Sequence, residues 1–307
     1  PPGTVLQNQY LVGKVLGQGG FGITYLGWDL YLNIPVAIKE YLPSHLVVRE
    51  GNSASLSVVT GGMEEFARGR ERALKESRMA ARLGQIPGIV QTYDVFPENN
   101  TIYIVMEYVE GDTLTKYVEK QPEKLSLSRA LTLLAQVGTA LSTLHHRKII
   151  HRDVKPDNII IRNDPKQGVL LDFGAAKADD GTTLGNSSAV VSPGFAPPEQ
   201  YNAASLDGRI DQYAFAATLY YTLTGQRPAD SILRLVSSTP LPSIRQYNPG
   251  VPEAAEKAIM KGMAVKEQDR YATMEDFLAA LEKAAGVKGG KKLSGKLPKD
   301  KPVLPDP

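Results

Sequence analysis

The chain of 307 residues contains no cysteine, no long uncharged apolar run and no large excess of one charge. Without cysteine, disulfide bonds, thiolate nucleophiles and cysteine-based zinc clusters are excluded. No apolar stretch approaches the length of a membrane span and no signal peptide opens the chain, so the sequence predicts a cytoplasmic protein. Hydrophobic residues make up 42% of the sequence, which indicates a globular chain long enough for two lobes.

The charges almost cancel, with 35 Lys and Arg against 33 Asp and Glu. Residues 288–307 hold six Lys and two Asp, a net +4, which leaves −2 for the rest of the +2 total. Nucleic-acid binding requires a basic face, so we expect no nucleic-acid partner.

The apolar pattern predicts a strand-rich first part and a mainly helical second part. The predicted strands are residues 10–28 as a hairpin, 34–42, 88–96, 101–109, 159–161 and 169–171, with a small extra hairpin at 56–59. The predicted helices are residues 64–83, 127–145, 211–225, 252–263 and 273–285. We therefore expect an N-lobe over residues 1–107, a C-lobe over 108–286 and a flexible basic tail over 287–307.

A glycine motif, G-x-G-x-x-G, is formed by Gly17, Gly19 and Gly22. Its glycines allow the backbone to approach a polyphosphate closely. A strand pattern follows it rather than a helix, which disfavours a dinucleotide-binding loop and favours a flap over phosphates. On its own the motif is equally compatible with an ordinary glycine turn in a hairpin.

A lysine and a glutamate form the second candidate pair. Lys39 ends the apolar strand Val36-Ala37-Ile38, where it either reaches to water or binds the α- and β-phosphates. Glu76 lies between Ala73 and Ala80 on the apolar stripe of its helix, so it either faces inward and requires a cation or lies on a rotated, solvated face. Pairing of Lys39 with Glu76 gives each the partner it requires.

The stretch "HRDVKPDN", residues 151–158, sets charged residues between two apolar runs. Asp153 is placed to take the proton of an attacking hydroxyl, Lys155 to lie against the γ-phosphate and Asn158 to bind a metal. Asp172 opens Asp-Phe-Gly directly after an apolar strand and is a candidate Mg²⁺ ligand. The alternative for each is a plain polar loop, but these residue types at this spacing rarely recur by chance.

From about Tyr10 to Leu281 the chain resembles the eukaryotic-type Ser/Thr protein kinases, and bacterial members especially. Glu199 in Pro-Pro-Glu, Asp211 and Arg270 also match the family pattern. The resemblance implies that Asp211 anchors the catalytic loop and that Arg270 pairs with Glu199. It also implies an α+β, bilobal fold with an antiparallel-sheet N-lobe, one main N-lobe helix and a mostly helical C-lobe. The implied reaction transfers the γ-phosphate of ATP, with Mg²⁺, to Ser or Thr of protein substrates.

The same resemblance implies an adenine pocket and the groups that bind the base. The pocket walls are Leu16, Ala37, Met106 and Ile160, with Thr24 where the family usually has valine. Backbone groups of Glu107 and Val109 bind the base edge. Asp112 is either a ribose contact or a solvated acid in a turn.

Regulation by phosphorylation is a further expectation from the resemblance. Arg152, before Asp153, is typical of kinases that are switched by phosphorylation of the activation loop. That loop offers hydroxyls for autophosphorylation, unless it is simply a polar mobile segment. The hydroxyls are those of Thr182, Thr183, Ser187 and Ser188.

Two other functions remain open on sequence grounds: a pseudokinase scaffold that binds nucleotide without transfer, and a small-molecule phosphotransferase of related fold. Retention of the catalytic residues disfavours the first, and the segment from Asp172 to Glu199 disfavours the second. Many bacterial relatives are membrane-tethered, so the tail is either a juxtamembrane segment or a solvated linker to another domain. The sequence indicates neither the substrate nor the oligomeric state.

Overall fold

The protein is described by a computed structural model over residues 1–20, 22–51, 53–163, 166–171, 177–178, 191–201, 207–237 and 239–286. Two compact units are present, each assembled from two stretches of the chain. The first comprises Pro1–Tyr117 and Asp157–Lys177, and the second comprises Val118–Pro156 and Ala178–Pro307. The lobe boundary after residue 107 stays a prediction.

The secondary structure follows the expected order, with strands first and helices later. The strands are β1 Val5–Leu6, β2 Tyr10–Gly19, β3 Gly22–Asp29, β4 Ile34–Tyr41, β5 Val47–Val48, β6 Ser57–Val58, β7 Thr92–Glu98, β8 Thr101–Glu107, β9 Gly111–Thr113, β10 Ile149–Ile150, β11 Ile159–Arg162, β12 Gly168–Leu170 and β13 Lys177–Ala178. The helices are α1 Met63–Arg82, α2 Leu114–Glu119, α3 Leu127–His146, α4 Pro198–Tyr201, α5 Arg209–Thr224, α6 Ser231–Ser237, α7 Ile244–Tyr247, α8 Glu253–Gly262 and α9 Met274–Ala284, with 3-10 turns at Pro156–Asn158 and Glu267–Asp269.

The first unit is built on an antiparallel sheet with the strand order β1-β2-β3-β4-β8-β7. Tyr10 and Val12 point into its core while Leu11 between them is exposed, as strand alternation requires. β7 and β8 are joined by Asn99 and Asn100, both with positive φ, which is the geometry of a tight two-residue hairpin. The core on one face of this sheet consists of Leu6, Tyr10, Val12, Tyr25, Val36, Ile38, Phe96, Tyr103 and Val105.

Helix α1 begins one residue before the predicted start and ends one residue before the predicted end. Its buried residues are Phe66, Ser77 and Ala80, so the inward face includes a serine that the apolar pattern did not indicate. Ser77 Oγ donates to the Ala73 carbonyl at 2.7 Å, which satisfies the buried hydroxyl. Glu76 is half-buried, at the margin of this inward face.

The second unit is organised around α5, in which every residue except Arg209 and Tyr221 is buried. The helix is therefore buried on almost every side, and α3, α8 and α9 pack against it. Gly225 ends the helix with φ +68°, a left-handed conformation that glycine adopts without strain. Thr273 caps α9 through Asp276 N–H, as its capping-box spacing predicts.

No helix within the described ranges combines the length and the hydrophobicity that a membrane span requires.

Candidate functional site

Five predicted nucleotide-binding residues lie on one face of the sheet in the first unit. Thr24 is directly opposite Gly17 on β2 and opposite Lys39 on β4. Ala37 is directly opposite Met106 on β8. Opposed residues share a face in an antiparallel sheet, and Ala37 and Lys39 are two apart in one strand. The strand register therefore gathers residues that are up to 89 positions apart in the sequence.

The glycine motif forms the hairpin between β2 and β3, with Gly19 opposite Gly22. Among the described residues, a Cβ added at Gly17 or Gly19 would meet no atom within 4 Å other than those of its chain neighbours, so packing against those residues does not require glycine there. The open space fits a phosphate that approaches the backbone. At Gly22 a Cβ would lie 2.5 Å from the Glu40 carbonyl oxygen, so close strand packing requires this glycine. A strand follows the motif, which confirms that it does not open a helix.

An apolar surface suited to a base lies at the end of β8. Met106 and Ile160 pack against a small buried cluster, to which β11 brings Ile160 by pairing with β9 and β12. Leu16 is 43% exposed on β2, so most of its side chain remains available to a ligand. The buried members of the cluster are Val90, Val109 and Val169.

Glu107, at the end of β8, has two interactions that the sequence did not indicate. Its N–H donates to the Gln91 carbonyl at 2.9 Å, so this N–H is already engaged within the protein. Its carboxylate forms an ion pair with Arg162 of β11, two residues after Ile160. Both partners are partly buried, which makes the pair less screened than a surface salt bridge.

Lys39 and Glu76 belong to the same unit and occupy different elements. Lys39 is half-buried near the end of β4, and Gly22 lies beside its side chain, with Lys39 Cε 3.8 Å from the Cβ position of that glycine. Glu76 is carried by α1, which packs against β7 and β8. Their pairing stays a prediction.

Asn158 closes the 3-10 turn that follows Pro156. Its backbone carbonyl accepts a hydrogen bond from Leu171 N–H at 2.7 Å. Leu171 directly precedes Asp172, so this bond ties together the two chain segments that carry the predicted metal ligands. Asp172, Phe173 and Gly174 themselves lie outside the described residues, as do the four predicted phosphorylation sites between residues 182 and 188.

In the second unit, Asp153, Lys155 and Ser192 form a closed hydrogen-bonded group. Lys155 Nζ lies 2.9 Å from both Asp153 carboxylate oxygens and 3.0 Å from Ser192 Oγ. Ser192 Oγ in turn donates to Asp153 Oδ1 at 2.9 Å. The Asp153 and Lys155 side chains are each 20% exposed, so this carboxylate is both fixed and accessible.

Asp211 holds the catalytic loop from the first turn of α5. Its two oxygens accept the backbone N–H groups of His151 and Arg152, each at 2.8 Å, and His145 Nε2 lies 2.8 Å from Oδ2. This confirms the anchoring role that the resemblance implied. Burial alone would raise the pKa of Asp211, but hydrogen bonding and charge from His145, with the charge and N–H of His151, hold it below its ordinary value.

Arg152 has a left-handed backbone conformation, with φ +70°. This conformation is costly for a residue with a side chain and persists where the surroundings fix it. Here Asp211 accepts the Arg152 N–H, and Gln200 Nε2 donates to the Arg152 carbonyl at 2.8 Å. Gln200 was missed in the sequence, although it follows the recognised Glu199 directly. The strained residue is Arg152, which directly precedes Asp153, the predicted proton acceptor.

The predicted pair of Glu199 and Arg270 is confirmed. Arg270 Nη2 donates to Glu199 Oε2 at 3.0 Å, and Nη1 donates to Oε1. The remaining Arg270 donors bind the backbone carbonyls of Ala264, Arg209 and Val265, while its guanidinium lies over the Tyr213 ring at 5.0 Å. The pair fixes the segment that carries Ser192 and Gln200 to the core of the second unit.

Comparison with known proteins gives concordant matches. The protein kinase domain family matches residues 10–276. Serine/threonine-protein kinase PrkC of Bacillus subtilis is 33% identical over 92% of this chain and 41% of its own length. Serine/threonine-protein kinase PknA of Nostoc is 34% identical over 91% of this chain and 48% of its own. The solved apo form of PpkA-294 is 29% identical, with a TM-score of 0.78 over 92% of this chain and 99% of its own. The chain thus spans less than half the length of these two curated relatives.

Proposed function

Because this chain belongs to the protein kinase family, we propose that it transfers the γ-phosphate of ATP to serine and threonine hydroxyls of protein substrates. The family implies ATP and a divalent cation, and Mg²⁺ is the cation we propose. The observation that carries the proposal is the group of Asp153, Lys155 and Ser192, fixed and accessible on a loop that Asp211 anchors.

In the proposed reaction the Asp153 carboxylate accepts the proton of the attacking hydroxyl. The hydroxyl oxygen forms a bond to the γ-phosphorus as the bond from that phosphorus to the ADP oxygen breaks. Lys155 supplies positive charge where negative charge develops, and Ser192 holds both side chains in register. Lys39 orients the α- and β-phosphates and the open glycine hairpin covers them.

The metal ligands in this proposal are Asn158 and Asp172. An amide oxygen and a carboxylate are the hard oxygen donors that Mg²⁺ prefers, and the bond between Asn158 and Leu171 supports their joint use. The cation, when bound, neutralises charge on the phosphates.

A transfer assay with labelled ATP and a generic protein acceptor tests the proposal. We expect Asp153→Asn and Lys39→Met each to abolish transfer, because one loses the proton acceptor and the other the phosphate contact. The matched controls are Asp157→Asn, an exposed acid bonded to Thr115, and Lys14→Met, an exposed lysine of β2. Full transfer by either catalytic variant would contradict the proposal, and nucleotide binding by a wild type without transfer would indicate a pseudokinase.

We also propose autophosphorylation on the activation loop, at one or more of Thr182, Thr183, Ser187 and Ser188. Intact-mass spectra of the protein with and without ATP·Mg²⁺ are expected to show added phosphate in the wild type and none in Asp153→Asn. Active wild type without added phosphate would end this part of the proposal.

The basic tail fits attachment to a further segment, either a membrane tether or a second domain. Vesicles containing anionic lipid, offered to the protein with and without residues 287–307, test the first alternative. Binding that depends on the tail supports a juxtamembrane role, and its absence favours a linker.

A further inference from the structure

Residues 41–62, from the last residue of β4 to the residue before α1, are here named the connecting segment. It joins the strand that carries Lys39 to the helix that carries Glu76. It contains the small hairpin of β5 and β6. Its contacts reach three elements of the first unit: the sheet, α1 and the glycine hairpin.

A buried ion pair holds the connecting segment to the sheet. Glu40 follows Lys39 in β4 and therefore points to the opposite face, where it is 1% exposed. Its carboxylate accepts hydrogen bonds from Tyr25 Oη at 2.9 Å and Tyr103 Oη at 3.0 Å, and it pairs with Arg49. Arg49 also donates to the backbone carbonyls of Ser53 and Ala54, so the same guanidinium closes the segment on itself. Without Arg49 a buried carboxylate would lose its cation, which is strongly unfavourable.

A separate apolar cluster holds the segment to α1. Tyr41 stacks on Phe66 of the helix with ring centroids 5.8 Å apart. The Tyr41 hydroxyl lies only 2.1 Å from the position that a Cβ of Gly69 would take, so Tyr41 rests on the bare backbone of α1. The buried members of this cluster are Leu46, Val47, Leu56 and Phe66.

The connecting segment also reaches the tip of the glycine hairpin. Ser44 N–H donates to the Gly20 carbonyl at 3.2 Å. Gly20 occupies the turn between Gly19 and Gly22, where the phosphate flap is proposed. The hairpin tip, the Lys39 strand and the Glu76 helix are therefore all in contact with one short stretch of chain.

We propose that the connecting segment is a positioning element for ATP: it fixes the spacing of the glycine hairpin, Lys39 and Glu76 through the buried Glu40–Arg49 pair and the seat of Tyr41 on Gly69. Tyr41 and Arg49 are positioning residues, because neither is placed to touch a reacting atom. This inference rests on the proposed function, because it assumes that the first unit binds ATP and identifies the residues that set the affinity for it.

Gly69→Ala tests the seat of Tyr41 on α1. Glycine to alanine inside a helix favours the helix, so the variant is expected to fold. Its new methyl group displaces Tyr41, and we expect the KM for ATP and the Kd for a non-hydrolysable ATP analogue with Mg²⁺ to rise about tenfold, equivalent to about 1.4 kcal/mol. The KM for the protein acceptor should stay unchanged, a split that general destabilisation does not produce.

Tyr41→Phe/Gly69→Ala is the rescue variant. Removal of the hydroxyl leaves ring carbon Cζ as the nearest atom, at 3.2 Å, so the methyl group can be accommodated. We expect the ATP affinity to return to within about twofold of Tyr41→Phe alone, a difference below 0.5 kcal/mol. A Gly69→Ala protein that binds the analogue as tightly as the wild type, or a double variant no better than Gly69→Ala, would overturn the proposal.

Arg49→Met tests the Glu40–Arg49 ion pair, and Arg68→Met is its matched control, because each variant removes one arginine charge. Arg68 forms an exposed ion pair with Glu64 on α1, so its loss should change no binding constant. Arg49→Met should weaken binding of the ATP analogue and speed amide hydrogen exchange in α1 but not in α5. Arg49→Lys keeps a positive charge and should partly restore both the analogue affinity and the slow exchange in α1. Equal effects of the two variants would refute a special role for Arg49. Because Kd is measured without turnover, a wild type that binds but does not transfer would end the proposed function alone and leave this test intact.

Discussion

Asp211 uses its two carboxylate oxygens to hold two consecutive backbone N–H groups of the catalytic loop. It never needs to meet a substrate, yet it fixes the backbone on which Asp153 is carried. With Gln200 on the Arg152 carbonyl, it stabilises a left-handed residue that would otherwise relax. At the residue scale, buried groups that take no part in the proposed reaction therefore fix the backbone beside Asp153, the proposed proton acceptor.

The free energy of unfolding should depend on pH through the ionisation of the Asp211 carboxylate. Since the pKa of Asp211 is lower in the folded protein than in the unfolded chain, its contribution is fully present above the unfolded value of about 3.9 and is lost as the pH falls through the lower folded value. We expect Asp211→Asn to lower the free energy of unfolding by about 3 kcal/mol at pH 7. Urea unfolding of both proteins at pH 7, 5 and 3.5 should show the difference shrink only at the lowest pH. If the difference in free energy of unfolding between the wild type and Asp211→Asn were the same at all three pH values, the lowered pKa of Asp211 would be contradicted.

Ser192 offers a second prediction at this scale. Ser192→Ala removes the hydroxyl that bridges Lys155 and Asp153, whereas Ser192→Thr keeps it. We expect kcat to fall by about tenfold to a hundredfold in the alanine variant and to be nearly retained in the threonine variant. Equal kcat values for the two variants would show that the hydroxyl does not position the pair.

At the scale of elements, a side-chain cap marks the residue at which α9 begins. Thr273 Oγ1 accepts the Asp276 N–H at 3.1 Å and donates to the Asp276 carboxylate at 2.9 Å. We expect Thr273→Ala to lower the free energy of unfolding by about 1 kcal/mol and Thr273→Ser to retain most of it, measured by urea unfolding. Matching losses in both variants would assign the effect to the methyl group instead.

Elements with a clear period were predictable from the sequence, and short or aperiodic ones were not. The five long helices and the main strands were found to within a few residues because their apolar spacing repeats over several turns or alternations, whereas the short helices α2, α4, α6 and α7 were missed. β1 was missed because two residues hold no period, although Leu6 is 0% exposed in the core. Arg49 was missed because its partner Glu40 is visible only once β4 assigns opposite faces to Lys39 and Glu40.

The residues of the candidate site likewise fall into those that the sequence could predict and those that it could not. Residues within contiguous motifs, such as Asp153, Lys155 and Asn158, could be picked out because their spacing is local. The ion pair of Glu107 with Arg162 could not, since it joins residues 55 positions apart with no motif around Arg162. Such contacts depend on strand register, which one sequence does not reveal.

At the scale of the whole molecule, the predicted α+β protein kinase fold is confirmed by the sheet of the first unit, the helices of the second and the match of the protein kinase domain family to residues 10–276. The division between the units falls after Pro156, inside the motif that runs from His151 to Asn158. Lys155 and Asn158 therefore belong to different units although two residues separate them.

The most direct test of this account measures ATP-analogue binding and phosphate transfer side by side in the wild type and in Asp153→Asn. If the first unit binds the nucleotide and Asp153 only takes the proton, the variant should keep its Kd within about twofold while kcat falls at least about a thousandfold. Transfer that survives in the variant, or a Kd that weakens as much as kcat falls, would contradict it.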